Sequence, residues 1–230
     1  MSTRIEPPNI ASLNVRAFFT TKNSAEHDEN IKEVLARQFD ISQDHIYLPI
    51  QKHTSDIHVL ESGRGPVIAD AVITDVRNIF VGILVADCVP VLLYDGRKRV
   101  IGAVHAGWRG TAKQILRSTI DLMCHRFHCS PADILVAIGP SIRGCSYEVG
   151  EEVKSDVQRA TGKGDYYSEM NGTYYVDLSS ANKIQALSMG IIPQNIWQSE
   201  DCTFCNPQKY YSYRRSGGDT GRQGGFIGMW

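Results

Sequence analysis

Three apolar segments that lie close together in the sequence set the strongest limit on how this chain folds. Hydrophobic, mostly branched side chains fill Ile79 to Ala86, Val89 to Tyr94 and Val100 to His105 almost without interruption. An apolar run without polar alternation is typical of a strand that is covered on both faces. We therefore expect three core strands in quick succession, the last two separated by the turn-like residues Asp95 to Lys98.

Further strands and helices flank these segments. The sequence predicts extended segments at Val15 to Thr21, His45 to Ile50, Ile134 to Ile138 and Gly225 to Trp230. Apolar residues at helical spacing and breaking residues predict helices over Glu29 to Phe39, from Gly110-Thr111 to near Cys129, over Gly150 to Ala160 and over Leu178 to Met189. Because strands outnumber helices and occur in both hairpin-like and helix-separated order, we predict an α+β fold, a mixed-sheet α/β sandwich. No repeat or long linker interrupts the chain, so residues 1–230 are predicted to form a single domain.

Composition argues against several classes of partner. Lys and Arg total 24 against 25 for Asp and Glu, a net charge of −1 that offers no footprint for nucleic acid or an anionic membrane. No apolar run approaches the roughly 20 residues of a membrane span, and the first residues lack the basic-then-apolar order of a signal peptide. We therefore expect a cytoplasmic protein whose six cysteines stay reduced and whose partner is a small molecule.

One cysteine and two histidines stand at predicted strand ends. His53 follows Gln51-Lys52 at the end of an extended segment, Cys88 lies at the interruption between two buried strands, and His105 ends another strand. A Cys with two His is a typical ligand set for zinc, and three protein ligands leave a fourth position open for water or substrate. The same atoms permit a catalytic pair, in which His105 activates a Cys88 thiolate. Asp87, a carboxylate that needs a partner in so apolar a strand, is a further catalytic candidate as a proton carrier.

Two segments are candidates for binding an anion. A small-residue turn from Gly107 to Thr111 opens a helix and contains Arg109, so Gly107, Arg109 and Thr111 are predicted to bind phosphate. Near the C-terminus, Tyr210 to Arg215 combines aromatic rings with guanidinium groups that could stack a base and bind phosphate, which adds Arg214.

A Cys-X-X-Cys pair near the C-terminus has no clear assignment from the sequence. A thioredoxin-type pair should open a helix in a βαβ unit, whereas Cys202 and Cys205 precede Asn206-Pro207 and an aromatic segment. A four-cysteine zinc site needs a second close pair, and Cys124 with Cys129 has poor spacing for one.

Eight short blocks together resemble a known family. They are Gln51 to His53, Ala69 to Thr74, Ala86 to Leu92, His105 to Thr111, Ile138 to Ile142, Cys145 to Gly150, Cys202 to Pro207 and Ser212 to Arg215. In this order they resemble the bacterial laccase-domain proteins, also called YfiH-like proteins or multicopper polyphenol oxidoreductases. Members of that family are now regarded as purine nucleoside phosphorylases. The similarity runs from about Phe18 to the C-terminus.

The resemblance implies a fold, a metal site and a pair of reactions. The implied fold is an α/β sandwich akin to the catalytic domain of cytotoxic necrotizing factor toxins. The implied metal is zinc, with copper as the other possibility, held by the residues that match His53, Cys88 and His105. The implied reactions are phosphorolysis of adenosine, inosine and methylthioadenosine, and deamination of adenosine, so that the partners are a purine nucleoside and phosphate. Thr20 to Asn30 leads almost directly into the first helix, where the family usually has a glycine-rich loop, and this departure concerns the substrate range.

Other functions remain open at this stage. Copper-dependent oxidation of phenols is the family's older label, although one His-Cys-His set offers fewer ligands than a multicopper oxidase needs. A hydrolase using Cys88 and His105 on peptidoglycan precursors is a second alternative, in line with the family's proposed role in peptidoglycan quality control. A binding module without catalysis is the third.

Overall fold

The protein is described by a computed structural model over residues 4–11, 14–24, 30–63 and 65–230. The strands within this part are β1 (Arg4–Ile5), β2 (Val15–Thr20), β3 (Ile46–Tyr47), β4 (Ile57–Val59), β5 (Ala71–Thr74), β6 (Ile79–Val85), β7 (Val89–Asp95), β8 (Val100–Ala106), β9 (Ile134–Ile138), β10 (Glu148–Val149), β11 (Tyr167–Met170), β12 (Thr173–Val176), β13 (Ile196–Gln198) and β14 (Gln223–Met229). The helices are α1 (Ile31–Phe39), α2 (Trp108–Ala112), α3 (Ile115–Phe127), α4 (Glu151–Thr161), α5 (Leu178–Ser188) and α6 (Tyr213–Ser216).

Two mixed sheets form the body of the described chain. One has the strand order β13-β9-β7-β8-β5-β4, in which the edge strands β13 and β4 pair in parallel and the inner pairs are antiparallel. The other has the order β1-β2-β14-β6-β3, and its strand β14 lies between β2 and β6, antiparallel to both. A small sheet, β10-β12-β11, lies beside them.

Alternate side chains of the apolar strands enter different layers of the core. In β7, Val91 and Leu93 pack in the cluster that includes Ile115 and Ile120 of α3, whereas Leu92 packs against the second sheet in a cluster with Ile83. On the outer face of the second sheet, Phe80 packs with residues of α1 in a third cluster. Each large sheet is therefore covered on both faces, which explains why its central strands are continuously apolar.

The predicted mixed-sheet α/β architecture is confirmed, with differences at particular elements. The likeness to the necrotizing factor domain stays a prediction. The helix predicted from Gly110-Thr111 to Cys129 is instead two helices, α2 and α3, because Gln114 between them adopts a left-handed conformation with φ of 60°. Residues 25–29 lie outside the described residues. They include part of the short loop and Glu29, the first residue of the first predicted helix. Within the described ranges, no helix is both long and apolar enough to cross a membrane.

Candidate active site

Strand register brings Cys88 and His105 together at one end of the central strands β7 and β8 of the six-stranded sheet. Cys88 immediately precedes β7, and His105 is the next-to-last residue of β8, where it lies opposite Pro90 in the antiparallel ladder. On the other side of β8, the backbone N–H of His105 donates to the carbonyl of Asp70, which immediately precedes β5, at 2.7 Å. The antiparallel pairing of three strands thus sets the relative positions of these residues.

A separate loop carries His53 to the same place. The Gln51 side chain donates to the Leu84 carbonyl and accepts from the Leu84 N–H, both at 2.8 Å, which fastens this loop to the end of β6. His53 itself has φ of 56°, in the left-handed region that is uncommon for residues other than glycine. Its exposed ring meets the buried ring of His105 edge to face, with 4.9 Å between ring centroids.

Asp70 is the central buried carboxylate of this region, and reasoning from the sequence did not assign it a role. Its Oδ1 accepts from His105 Nδ1 at 2.7 Å and from the His53 N–H at 3.1 Å. Its Oδ2 accepts from the Lys52 N–H, the Thr54 N–H and the Thr54 hydroxyl at 3.2, 2.6 and 2.8 Å. Burial alone would raise the pKa of Asp70, but the hydrogen bonds from His105 and Thr54 outweigh it and hold that pKa well below its usual range. The carboxylate is therefore charged and holds both histidines.

The three predicted metal ligands come together. The sulfur of Cys88 lies 3.9 Å from His53 Nε2, and one ligand atom from each of the three residues lies within 4.8 Å of the other two. Burial favours the neutral thiol of Cys88, but hydrogen bonds and charge from His105 and His53 lower its pKa to about 6. Burial likewise opposes charge on His105, whereas hydrogen bonds to Asp70 and Cys88 raise its pKa to about 9.

This set of residues fits a zinc ion. Zinc–nitrogen and zinc–sulfur bonds of about 2.1 and 2.3 Å in a tetrahedral site separate the two ligand atoms by about 3.6 Å, close to the observed spacing. Because the ionised Asp70 only accepts hydrogen bonds, the Nδ1 of His105 carries a proton, and Nε2 is the ring nitrogen that a metal would bind in place of its proton. A carboxylate behind a ligating histidine is the usual partner in zinc proteins.

A cavity of about 590 Å³ opens over these residues. This volume is in the range of small-molecule sites. The lining includes His53, Cys88 and His105 together with the guanidinium-bearing residues Arg109, Arg214 and Arg222. No carboxylate of the described chain forms an ion pair with any of these three arginines. With Asp87 as the carboxylate in the same lining, the three arginines give the cavity wall an excess of positive charge beside the histidines and the cysteine.

Asp87 connects the C-terminal segment to this cavity. Its carboxylate accepts from the hydroxyls of Thr203 and Ser212 at 2.6 and 3.0 Å and from the Arg214 N–H at 2.7 Å. Arg214 is thereby placed in the wall, where its guanidinium lies over the Tyr147 ring and donates to the Glu148 carbonyl. The structure thus gives Asp87 a positioning role, with all three donors coming from residues that are distant in sequence.

The three residues predicted to bind phosphate after β8 have different surroundings in the structure. Arg109 faces the cavity and stacks on Trp108, with 4.5 Å from its guanidinium carbon to the ring centroid. Gly107 backs onto the cluster, since a Cβ there would lie 3.0 Å from the Cys88 sulfur. Thr111 is a correction to the predicted phosphate ligands, because it is fully buried and its hydroxyl accepts from Asn182 of α5.

Tyr147 is a second residue that sequence reasoning left unassigned. It lines the cavity between Cys88 and Arg214, and burial together with the nearby Cys88 raises its pKa to about 12. Its hydroxyl is therefore protonated at neutral pH and available as a hydrogen-bond donor. The block Cys145 to Gly150 was the only sequence signal that pointed to it.

Comparison with known proteins identifies the family. Residues 3–230 match the family described as multi-copper polyphenol oxidoreductase laccase. The chain belongs to this family. The resemblance drawn from the eight sequence blocks is thus confirmed, and the laccase family accounts for the whole described fold.

Several relatives of this laccase-family protein are named as enzymes that act on purine nucleosides. A purine nucleoside phosphorylase from Clostridium acetobutylicum is 40% identical over 207 residues, covering 89% of this chain and 84% of its own. A protein named adenosine deaminase, from an unknown prokaryotic organism, is 32% identical over 209 residues, covering 85% and 79%. The crystal structure of YlmD from Geobacillus stearothermophilus superimposes with a TM-score of 0.91 at 30% identity, covering 99% of this chain and 96% of YlmD. The prediction that the protein is an enzyme is confirmed.

Proposed function

We propose that this protein is a purine nucleoside phosphorylase that also deaminates adenosine, with zinc held by His53, Cys88 and His105. One observation carries the proposal: a single cavity is lined both by this ligand set and by three arginines that form no ion pair with a described carboxylate. The names of its relatives support the same activities. We further propose that the chain acts as one catalytic domain and, from its composition, that it works in the cytoplasm.

The arginines are the proposed binding site for phosphate. A guanidinium group pairs with phosphate through parallel, charge-assisted hydrogen bonds, and Arg109, Arg214 and Arg222 present such groups to one cavity. In phosphorolysis, a phosphate oxygen forms a bond to C1′ of the ribose as the bond between C1′ and purine N9 breaks. The electron pair goes to the purine while positive charge develops on the sugar. The protonated Tyr147 hydroxyl is the candidate donor to the departing base.

Deamination requires water to add at C6 of the purine and ammonia to leave. Zinc bound at this site would supply Lewis-acid activation of that water. The protein's own contribution is to keep the ligands in place: Asp70 holds the Nδ1–H of His105 and the backbone of His53. Of the two histidines, His53 is exposed and His105 is buried.

Zinc is favoured over copper by the residues around the ligands. A His₂Cys copper site used for electron transfer normally has a weak axial ligand such as methionine. No methionine occurs among the described residues that line the cavity, and the amide of Gln51, which could serve the same purpose, is bonded through both of its atoms to Leu84. Several copper ions per purified chain, measured together with oxidation of phenols, would instead support the polyphenol oxidase alternative.

The deciding experiment is incubation of the pure protein with inosine and phosphate. We expect hypoxanthine and ribose 1-phosphate, and with adenosine we expect inosine and ammonia in addition to phosphorolysis products. Cys88→Ser should abolish deamination, whereas the matched control Cys124→Ser, a half-buried cysteine in α3 outside the cavity, should keep both activities. Absence of hypoxanthine and ribose 1-phosphate would contradict the phosphorylase proposal.

A second candidate function rests on the same residues in another role. Asp70, His105 and Cys88 follow one another in contact, as do the carboxylate, base and nucleophile of a cysteine hydrolase. Hydrolysis of a peptidoglycan precursor that persists after removal of metal by a chelator would favour this alternative. Loss of all activity on chelation, with recovery on adding zinc, would count against it.

A further inference from the structure

A third cysteine joins the Cys-X-X-Cys pair in space. The sulfur atoms of Cys145, Cys202 and Cys205 all lie within 4.8 Å of one another, and those of Cys145 and Cys205 are 3.7 Å apart. Cys145 comes from the loop after β9, and the other two come from the segment between β13 and α6. An isolated bridge between Ser141 and Cys202 aligns these two stretches of backbone. The fold thus adds a third cysteine, Cys145, to the pair that the sequence shows.

Hydrogen-bonding groups and a positive charge lie beside the Cys202 and Cys205 sulfur atoms. The Arg143 N–H donates to the Cys202 sulfur at 3.4 Å, and the Ser146 hydroxyl lies 3.1 Å from the Cys205 sulfur. The Arg215 guanidinium donates twice to the carbonyl of Phe204, next to Cys205, so a positive charge lies beside the cluster. The nearby carboxylate of Asp201 is paired with Lys209 and Tyr210. Hydrogen-bond donors and positive charge of this kind stabilise thiolates, whereas neutral thiols do not need them.

The spacing suits a shared metal ion. Two sulfur atoms bound to a tetrahedral zinc ion at about 2.3 Å lie about 3.8 Å apart, against the 3.7 Å found between Cys145 and Cys205. A disulfide would need about 2.05 Å between them. A further polar atom is close in the fold, because the buried hydroxyl of Ser141, the bridge partner of Cys202, has no hydrogen-bond partner among the described residues.

We propose that Cys145, Cys202 and Cys205 hold a second zinc ion through three thiolates, separate from the His53, Cys88 and His105 cluster. Thiolate-rich sites select soft, thiophilic ions, of which zinc is the one that structural sites use most. This site joins two segments that build the cavity wall: the first carries Ile142 and Tyr147, and the second carries Thr203, which donates to Asp87. The bound ion therefore braces the wall of the cavity without contacting its contents.

The test is the metal content of protein purified with zinc, measured by elemental mass spectrometry. We expect two zinc ions per chain in the wild type, and one in Cys205→Ser and in Cys145→Ser, both of which change exposed side chains. His53→Ala should lose the other ion, and the double variant His53→Ala, Cys205→Ser should lose both. Cys124→Ser is the matched control and should keep two. Stoichiometry measured in this way does not depend on any nucleoside reaction, so it can fail or succeed independently of the proposed phosphorylase.

Cobalt substitution gives a second measurement. Metal-free protein titrated with Co²⁺ should develop a strong sulfur-to-cobalt charge-transfer band, most of which disappears in Cys205→Ser but persists in His53→Ala, because three thiolates contribute at one site and one at the other. Two results would overturn the proposal: one zinc per chain in the wild type that Cys205→Ser leaves unchanged, or a Cys145–Cys205 disulfide in protein purified under reducing conditions.

Discussion

Asp70→Asn is the substitution that tests the candidate site most directly. Asp70 is fully buried and accepts five hydrogen bonds, two on Oδ1 and three on Oδ2. Asparagine has nearly the same shape, but one of its two terminal atoms is a donor. The change therefore leaves the packing in place and removes one acceptor and the negative charge.

The two orientations of the new amide fail in different ways. If its oxygen replaces Oδ1, its NH₂ group faces the N–H groups of Lys52 and Thr54; if its oxygen replaces Oδ2, its NH₂ group faces His105 Nδ1 and the His53 N–H. The first orientation leaves the two backbone N–H groups without an acceptor, while the Thr54 hydroxyl can rotate to accept from the new NH₂ group. The second leaves the His105 Nδ1–H and the His53 N–H without one. At about 1–3 kcal/mol for each unpaired buried group, the free energy of unfolding should fall by roughly 2–6 kcal/mol.

Metal binding should suffer as well. Loss of the carboxylate behind a ligating histidine typically weakens metal affinity by about 10–100-fold. We would measure zinc affinity by competition with a chromophoric chelator, and stability of the metal-free protein by urea denaturation. The matched control is Asp95→Asn, because Asp95 is also fully buried and accepts from the N–H groups of Arg97 and Lys98 at the opposite end of β7. The control should lose stability and keep its zinc affinity; unchanged zinc affinity in Asp70→Asn would refute the role given to this carboxylate.

Three further substitutions test separate parts of the site. Gly107→Ala places a Cβ 3.0 Å from the Cys88 sulfur and should weaken zinc binding about tenfold or more. The control Gly150→Ala, at the same cap position of α4 with open space around it, should leave zinc affinity unchanged. Equal zinc affinities for the two variants would contradict the argument that the new Cβ crowds Cys88. Asp87→Asn weakens a carboxylate that accepts from Thr203, Ser212 and Arg214, so the free energy of unfolding measured by urea denaturation should fall by roughly 2–4 kcal/mol. The KM for phosphate should also rise. An unchanged KM would show that Asp87 does not position the phosphate-binding residues. Arg214→Ala should raise the KM for phosphate about tenfold or more, while Arg126→Ala on α3 leaves it unchanged, and steady-state kinetics that fail to distinguish them would remove Arg214 from the phosphate site.

Local sequence was sufficient for the elements whose pattern has a direct physical cause. The runs at β6, β7 and β8 are apolar throughout because each of these strands is covered on both faces, so their bounds were predicted within one or two residues. The interruption of the helix at Gln114 was missed, because only the packing of α2 and α3 requires a left-handed residue there.

At the candidate site, the sequence indicated which residue types carry the chemistry but not which residues contact them. A cysteine and two histidines at strand ends suggested metal or nucleophile chemistry, and their convergence follows from the register of β7 with β8 and from the Gln51 contact with Leu84. Asp70 gave no such signal, since a carboxylate before a strand acquires its role only from the histidine that the antiparallel pairing places beside it. Thr111 was assigned to the site for the converse reason: Trp108 and Arg109 of the same helix line the cavity, but the helical turn directs the Thr111 side chain to α5.

By itself, the sequence determined a core of covered strands, a near-neutral chain suited to a small substrate, and the set of side chains with metal-binding chemistry. Hydrophobic periodicity and ligand type are properties of short segments, so they can be recognised without the fold. Tertiary structure alone decided which of those side chains meet. It placed His53 beside Cys88, turned Asp87 toward Thr203 and Ser212, and brought Cys145 to Cys202 and Cys205. Contacts across 35 to 125 residues depend on strand pairing and loop closure, and no local pattern encodes them.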